Sequence, residues 1–429
     1  MAFDYGSKDE PGIVSDVNSL TTVNTGSDAP DNPGVVGQAD LTNGDAIPNT
    51  VYEIIEDTTA VQQFGENSLL TNAVLDALNE GADVVYAVAP EMISVTAEDL
   101  SGLTSTNGTL ANAPPTEVAG DITFTINGST LNTSIVYEDV SGLAPGTDEA
   151  YVQADTGDFN LDGNLTIGNT GDEVNYEYAD YSSALTALEN GAAQEVDHLA
   201  ALNENDSVTS SVQTTASNLA TEQEFLVAYA GMPLATDPSA FTNSYDDSRL
   251  ALLGATRKPN GDSALGGYLG LRSNIGINTT PINKTLKTVT DLKRDLDSTD
   301  RKLLIAERVI PLSLESGGVR IVDDINTVSD TNTQEQNIRF VYSRLVTDYI
   351  LDTVRKNEQP FIGKLNDPDV RGTLEGLLTN EIRALEKQNQ VISYDLEVVP
   401  VDATTARLRM DVNLSEPLRF IENVIGIGN

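Results

Sequence analysis

The sequence of 429 residues has no cysteine, no tryptophan and a single histidine, His198. The absence of cysteine excludes disulfide bonds, zinc sites built from thiolates and cysteine nucleophiles. One imidazole is too few for the histidine clusters that bind catalytic zinc or non-haem iron. These absences leave few common enzyme sites open, and we expect His198 to be a polar surface residue.

Phosphate-binding motifs are missing as well. The sequence has no glycine-lysine-serine/threonine loop, and Gly266, Gly267 and Gly270 lack the strand–loop–helix context of a dinucleotide fingerprint. An α/β pattern without a site is no argument for catalysis. We therefore predict that the protein is not an enzyme and requires no cofactor.

Basic residues are scarce in the first part of the chain. Lys8 is the only lysine or arginine among residues 1–248, which hold 41 acidic residues, whereas residues 249–429 hold 23 basic and 25 acidic residues. Such an acidic surface repels nucleic acids and anionic membranes at long range, so neither is an expected partner. The acidity is typical of a halophilic host, and the nearly neutral second part indicates a region that partners cover.

Long hydrophobic runs are also absent. The longest apolar run, residues 84–90, is far shorter than the roughly 20 residues that a membrane helix needs. The first residues have neither a basic start nor an apolar core, so we predict no secretory signal and expect assembly in the cytoplasm of a host.

The apolar pattern predicts a multidomain α/β (α+β) fold. Residues 1–30 are too poor in apolar side chains to fold alone and predict an extended N-terminal arm. Helical and strand patterns in 31–95 resume in 196–311, which predicts one α/β domain made of both segments. Residues 96–195 contain no Lys or Arg and alternate apolar with polar residues, which predicts an inserted β-sandwich or barrel with a hairpin at Asn127-Gly128.

The last part of the chain predicts a separate C-terminal domain, 312–417, with a small sheet and two helices. The first helix is expected to begin at a capping box over 333–336 and to stop before Pro360. The second has Asp367-Pro368 at its start, which is a typical cap followed by a first-turn proline. Residues 418–429 form a β-prone arm with no partner strand close in sequence.

One acidic segment has the spacing of a calcium loop. Oxygen-bearing side chains occupy positions 1, 3, 5, 7 and 9 of the segment, with glycine at position 6, where such loops turn sharply. These candidate ligands are Asp158, Asn160, Asp162, Asn164 and Thr166. Position 12 is Asn169 rather than the usual bidentate glutamate, so an Asx-rich hairpin turn is the alternative to a Ca²⁺ site.

Several short motifs span nearly the whole chain outside the insert. They are Pro11-Gly12-Ile13-Val14, residues 34–39, Phe64-Gly65, residues 79–88, residues 308–311, residues 317–322 and Asn326-Thr327. In this order they resemble the motifs of contractile tail sheath proteins, the subunits of myovirus-like tails and related injection machines. Two positions depart from the pattern of that family: Ala89-Pro90 replaces a usual arginine, and Val322 replaces a common tryptophan.

The resemblance implies a structural protein. Copies would form a helical homo-oligomer of stacked hexameric rings around an inner tube and would contract to drive that tube through a cell envelope. The implied partners are the tube protein, the baseplate and the tail terminator, and the implied location is the tail of a virion. A non-viral contractile injection system is the alternative, and an acidic surface-layer or adhesin protein is a weaker one.

The resemblance also implies two sets of contact residues. Terminal strands would be donated to neighbouring subunits, and the residues that would form them are Ile13, Val14, Val17, Phe420, Ile421, Val424, Ile425 and Ile427. The C-terminal domain would line the inside of the sheath and touch the tube through basic residues on its two helices, which are Arg355, Lys356, Arg371, Arg383 and Lys387.

Overall fold

The computed structural model describes residues 32–192, 195–277, 279–387 and 391–414. Both predicted arms, 1–30 and 418–429, lie outside the described residues. The eight candidate strand-exchange residues lie on those arms and are therefore outside the described residues too.

The described residues form strands and helices throughout. The strands in chain order are β1 Pro33–Val36, β2 Val51–Ile54, β3 Val85–Val88, β4 Glu91–Asp99, β5 Asn107–Thr109, β6 Thr123–Ile126, β7 Ser129–Thr130, β8 Asn132–Val136, β9 Glu149–Gln153, β10 Asp158–Leu161, β11 Glu173–Asp180, β12 His198–Ala201, β13 Val227–Gly231, β14 Leu250–Gly254, β15 Thr285–Leu286, β16 Val309–Glu315, β17 Gly318–Ile321, β18 Ser393–Pro400 and β19 Ala406–Asn413. The α-helices are α1 Asp57–Phe64, α2 Leu69–Glu80, α3 Tyr181–Ala192, α4 Asp206–Thr221, α5 Leu265–Ile275, α6 Ser298–Ala306, α7 Val341–Glu358 and α8 Pro368–Lys387.

A nine-stranded sheet forms the α/β domain, in the order β15-β17-β16-β14-β13-β12-β1-β3-β2. Its central strands run parallel from β3 through β16. Helices α2 and α5 pack together against β1, and α3 and α4 pack together against other strands of the same sheet. Every residue of β13 and β14 is buried, because strands covered on both faces are continuous apolar runs. The predicted α/β fold is confirmed.

The large sheet extends past the predicted domain boundary at residue 312. Strand β16 crosses that position, and β17 pairs with it in antiparallel register, with Leu312 opposite Ile321. Both strands contribute to the core of the α/β domain, β16 through Leu312 and β17 through Val319 and Ile321. The chain leaves the sheet only after Ile321.

Two glycines of α5 allow an unusually close approach to α2. A Cβ on Gly266 would lie 2.2 Å from the carbonyl oxygen of Ala73, and one on Gly270 would lie 2.2 Å from that of Ala77. Real Cβ atoms do not come this close to backbone atoms, so only glycine fits at either position. This glycine-rich segment, which has no nucleotide-binding context, serves helix packing.

The inserted unit is a β-sandwich between β3 and α3. Its two four-stranded sheets have the orders β5-β10-β9-β8 and β4-β11-β6-β7. They enclose a core that includes Phe124 and Phe159, whose ring centroids are 5.0 Å apart. The turn predicted at Asn127-Gly128 is present, but only Ser129 and Thr130 pair back onto β6. The predicted hairpin is therefore present but short, because the chain then crosses to the other sheet, where β8 runs parallel to β9.

The C-terminal unit consists of α7, α8 and the β18–β19 hairpin. One face of α7 packs on the α/β core, and the other packs with α8 and the hairpin. Helix α8 begins as predicted, since Asp367 Oδ1 accepts from the Val370 amide at 2.9 Å. Helix α7 begins at Val341 without a side-chain cap, so the capping box predicted over 333–336 is wrong.

Substitution of glycines in α5 and α8 tests whether the close approach of α5 to α2 requires glycine. Gly266→Ala should lower the free energy of unfolding by about 1–3 kcal/mol, because α5 must move away from α2. In α8, a Cβ on Gly372 would meet nothing within 4 Å. Gly372→Ala is therefore the matched control, and it should raise stability by about 0.5–1 kcal/mol. Denaturant unfolding of both variants checks the signs, and equal destabilisation would contradict the packing argument.

Candidate functional site: two buried ionic junctions and an open hairpin

The insert docks on the carboxyl edge of the parallel sheet. Ligands of open α/β folds usually bind at this edge, just beyond the strand ends. Here Gln38, which follows β1, donates from Nε2 to the Pro115 carbonyl at 3.0 Å and accepts from the Glu117 amide at 2.8 Å. The usual ligand crevice is therefore occupied by the chain's own insert.

A buried arginine, Arg257, lies at the centre of this contact and follows β14. Its side chain is 1% exposed. The guanidinium faces three carboxylates: Nη2 is 2.9 Å from Asp155 Oδ1, Nε is 3.4 Å from Glu204 Oε1, and Nη1 is 3.6 Å from Glu117 Oε1. The Tyr137 ring centroid is 4.7 Å from the guanidinium carbon. We call these five residues the insert junction.

The insert junction joins two units of the fold. Glu117, Tyr137 and Asp155 belong to the insert, whereas Glu204 and Arg257 belong to the α/β domain. Burial raises the pKa of Glu117 to about 7 and that of Glu204 to about 7, although Arg257 lowers both. Removing charged groups from water is costly unless they are paired, so each unit supplies the counter-charges of the other.

A second buried cluster joins the C-terminal unit to the α/β domain. Arg249, which immediately precedes β14, makes a bidentate contact with Asp348 of α7, with both N–O distances at 2.8 Å. Arg344, one turn earlier on α7, donates to the same carboxylate. Burial lowers the pKa of Arg344, and Asp348 opposes that shift. We call these three residues the C-terminal junction.

The β18–β19 hairpin is the least enclosed part of the C-terminal unit. It pairs over eight positions, from Ser393 opposite Asn413 to Pro400 opposite Ala406. Within residues 32–414 as described, neither strand has a second neighbour. Each outer edge therefore presents backbone N–H and C=O groups on which another strand can pair, although on β18 the Val398 amide already donates to Glu375 Oε2 of α8 at 3.2 Å.

The structure places the candidate calcium ligands on β10 and on the segment that follows it. Asp158 and Asn160 lie on β10, where Asp158 accepts from Thr109 and Thr156 while the Asn160 amide donates to the Leu143 carbonyl at 2.7 Å. Asp162 Oδ1 accepts from the Asn164 backbone at 2.9 Å in an Asx turn. These contacts favour the Asx-turn alternative. No cluster of three or more His, Asp or Glu in the described part of the chain has the arrangement of a metal site.

The candidate tube-contact residues fall into two groups. Lys356, Arg383 and Lys387 are exposed on α7 and α8. Arg355 instead donates to the Gln223 carbonyl at 2.9 Å, and Arg371 donates to Asn366 Oδ1 at 2.7 Å. Arg355 and Arg371 are thus held by contacts inside the subunit.

His198 does not lie on the surface, and that prediction is wrong. It begins β12 in the middle of the large sheet and is fully buried. Its Nδ1 lies 3.1 Å from the Tyr229 hydroxyl on the neighbouring strand. The Tyr229 hydroxyl offsets the cost of burying the His198 ring, because a buried polar group needs a hydrogen-bond partner. The sequence pattern does not show that these two residues are neighbours.

Sequence reasoning missed both junctions. A signal was nevertheless present, because Arg249 and Arg257 are the first two arginines of the chain. Both flank the apolar strand β14, and an arginine beside a buried strand indicates a buried partner.

Comparison with known proteins identifies the central segment. Residues 175–327 match the family model described as the phage tail sheath protein central domain. A curated relative, the membrane protein insertase YidC of Pseudoalteromonas atlantica, is 31% identical over 147 residues, which is 33% of this chain and 26% of the insertase. This chain thus spans about a quarter of that relative. No helix in the described ranges is long and apolar enough to cross a membrane.

Solved structures resemble nearly the full chain in fold. The contracted helical sheath of the anti-feeding prophage aligns with a TM-score of 0.59 at 12% identity, covering 97% of this chain and 98% of that one. The contracted sheath complex of an extracellular contractile injection system, PVC, gives 0.59 at 12% identity, with 98% of both chains covered. A sheath tail protein of Desulfitobacterium hafniense gives 0.54 at 15% identity, covering 94% of this chain and 99% of that one.

The C-terminal junction makes a direct prediction for stability. Asp348→Asn leaves two buried guanidinium groups without their counter-charge and should cost about 3–5 kcal/mol in the free energy of unfolding. On the same helix, Asp352 forms an exposed i,i+4 pair with Lys356, whose side chain is 73% exposed. Asp352→Asn should therefore cost about 0.5 kcal/mol or less. Equal losses in denaturant unfolding would contradict the role of the C-terminal junction.

Proposed function

We propose that this chain is a subunit of a contractile tail sheath, since its central segment matches the phage tail sheath central-domain model and its fold resembles that of contractile sheath proteins. Copies stack helically around an inner tube and rearrange as rigid bodies when the sheath contracts. The observation that carries the proposal is the contrast between two closed, ionic junctions inside the subunit and one open hairpin at its end.

Rigidity inside the subunit follows from the buried charges. Turning the insert would separate Asp155 from Arg257, and turning the C-terminal unit would separate Asp348 from Arg249. Each movement would leave a charge buried without a partner, which costs several kcal/mol. The subunit is therefore expected to change its contacts with other copies rather than its own shape.

The terminal arms are the proposed connections between copies. Backbone pairing on an open strand edge gives affinity without depending on particular side-chain interfaces. The β18–β19 hairpin offers two such edges. The arm residues Ile13, Val14 and Val17, and the apolar residues from Phe420 to Ile427, are suited to occupy those edges in neighbouring subunits. Such pairing would keep copies linked while the angle between them changes.

Contact with the inner tube is proposed for the exposed basic residues of α7 and α8. Arg383 and Lys387 have side chains in solvent, and Lys356 makes only an exposed ion pair with Asp352, so all three can meet an acidic partner at little cost to contacts within the subunit. Arg355 and Arg371 are already engaged and are expected to support the fold instead. The matching partner is a tube protein with an acidic outer surface.

The insert is proposed to face outward. It holds acidic residues but no lysine or arginine between positions 91 and 180. A surface with a single sign of charge repels its own copies, and this repulsion is smallest where the insert points away from the sheath axis into solvent. The proposed assembly is the same in a viral tail and in a non-viral injection system, with a baseplate at one end and a terminator at the other.

Deletion of residues 418–429 tests the proposed connections. The shortened chain should melt at nearly the same temperature as the full chain but should form no tubes in negative-stain microscopy. The matched control replaces 418–429 with a glycine-serine segment of equal length, which should also fail to form tubes because the segment has no β-prone residues. Tubes of normal length from either variant would overturn strand donation, and so would unfolding of the C-terminal unit.

A further inference from the structure

The insert junction contains more negative charge than its one cation neutralises. Arg257 carries a single positive charge, and three carboxylates face it. The exposed fraction of the side chains is 10% for Glu117, 0% for Asp155 and 3% for Glu204. With all three ionised, the cluster would hold an excess of two negative charges almost without water, which is strongly unfavourable.

Hydrogen bonding does not remove the excess. Glu204 is the best satisfied, since it accepts from Thr256 and from the Leu234 amide at 3.0 Å. Glu117 Oε2 accepts from the Tyr137 hydroxyl at 2.9 Å. Among the described residues, neither Glu117 Oε1 nor the buried Asp155 Oδ2 has a hydrogen-bond donor. The cluster therefore has oxygen atoms that a bound proton would stabilise.

The surrounding charges do not supply another cation to the carboxylates. On the rim, Lys293 pairs with Glu138 at 2.7 Å, although its ammonium also lies 5.2 Å from the Tyr137 ring. Lys258 pairs with Asp76 instead. Two further groups near the cluster add no positive charge. Asp262 is acidic and raises the pKa of Glu117. The Tyr181 hydroxyl stays protonated and neutral because burial raises its pKa.

We propose that the insert junction is a proton-dependent contact: it fixes the insert to the α/β domain while Glu117 or Glu204 holds a proton and loosens when neither does. These two glutamates face the same guanidinium, one from each unit. The proton comes from solvent and returns to it, so no other reactant is needed.

The direction of the pH effect follows from proton linkage. Burial raises the pKa of Glu117 and of Glu204 from the ordinary 4.5 to about 7. The closed junction therefore binds more protons than the open one between these values. Its stability is greatest below pH 4.5 and is lost as the pH rises toward 7. Neutral pH lies at the upper end of this range, where the contact is weakest.

Hydrogen exchange of the full chain measures the effect at the junction itself. Linkage to one proton changes an opening equilibrium by about tenfold per pH unit within the titration range. After correction for intrinsic exchange rates, amides of residues 116–118 and 153–156 should open at least about tenfold more often at pH 8 than at pH 5. Amides in the sandwich core, such as those of β6, should change less.

Glu117→Gln removes one titrating group and should abolish most of this pH difference at the junction. The control is Glu138→Gln on the rim, which should keep the difference, because the Glu138 side chain is 45% exposed. If Glu117→Gln fails to fold, Glu204→Gln serves as the second variant. Equal pH dependence in the wild type and in the folded variant would overturn the proposal, and so would a junction whose opening does not change with pH.

Discussion

A charged side chain taken out of water has to be paired, and this constraint determines how the three units of the subunit are joined. Arg257 is almost inaccessible to solvent, and its counter-charges come from two different units. Arg249 repeats the arrangement at the C-terminal unit with Asp348. Apolar contacts tolerate small rotations, but a buried ion pair tolerates them poorly, because a lost contact leaves an unpaired charge. The relative orientation of the units is therefore fixed as long as both junctions are closed.

The same constraint explains the position of the insert. An α/β sheet offers a crevice at the carboxyl ends of its strands, and in this fold the insert enters that crevice with Glu117 and Asp155. The β18–β19 hairpin instead has open edges, whose backbone N–H and C=O groups can pair with a strand from another copy. In the proposed sheath, a subunit with closed internal contacts and open terminal contacts can change neighbours without changing shape.

Local features of this fold could be read from the sequence, whereas distant pairings could not. The position of α2 can be read from the apolar residues at helical spacing between Leu69 and Leu78 and from Gly81 after the helix, because helical spacing and a glycine cap are local signals. The role of Gly266 depends on a carbonyl of α2, and the burial of His198 depends on Tyr229. The insert junction joins Glu117 to Arg257, which lie far apart in the sequence. No periodic pattern encodes such a contact, although the late appearance of the first arginines hinted at it.

Cryo-electron microscopy of the sheath at pH 6, before and after contraction, tests the account most directly. We expect residues 32–414 to superimpose as one body in both states, with both outer edges of the β18–β19 hairpin paired with strands from other copies. An insert or C-terminal unit that turns relative to the α/β domain would contradict the role given to the buried junctions. A hairpin edge left bare in either state would contradict the proposed linkage between subunits.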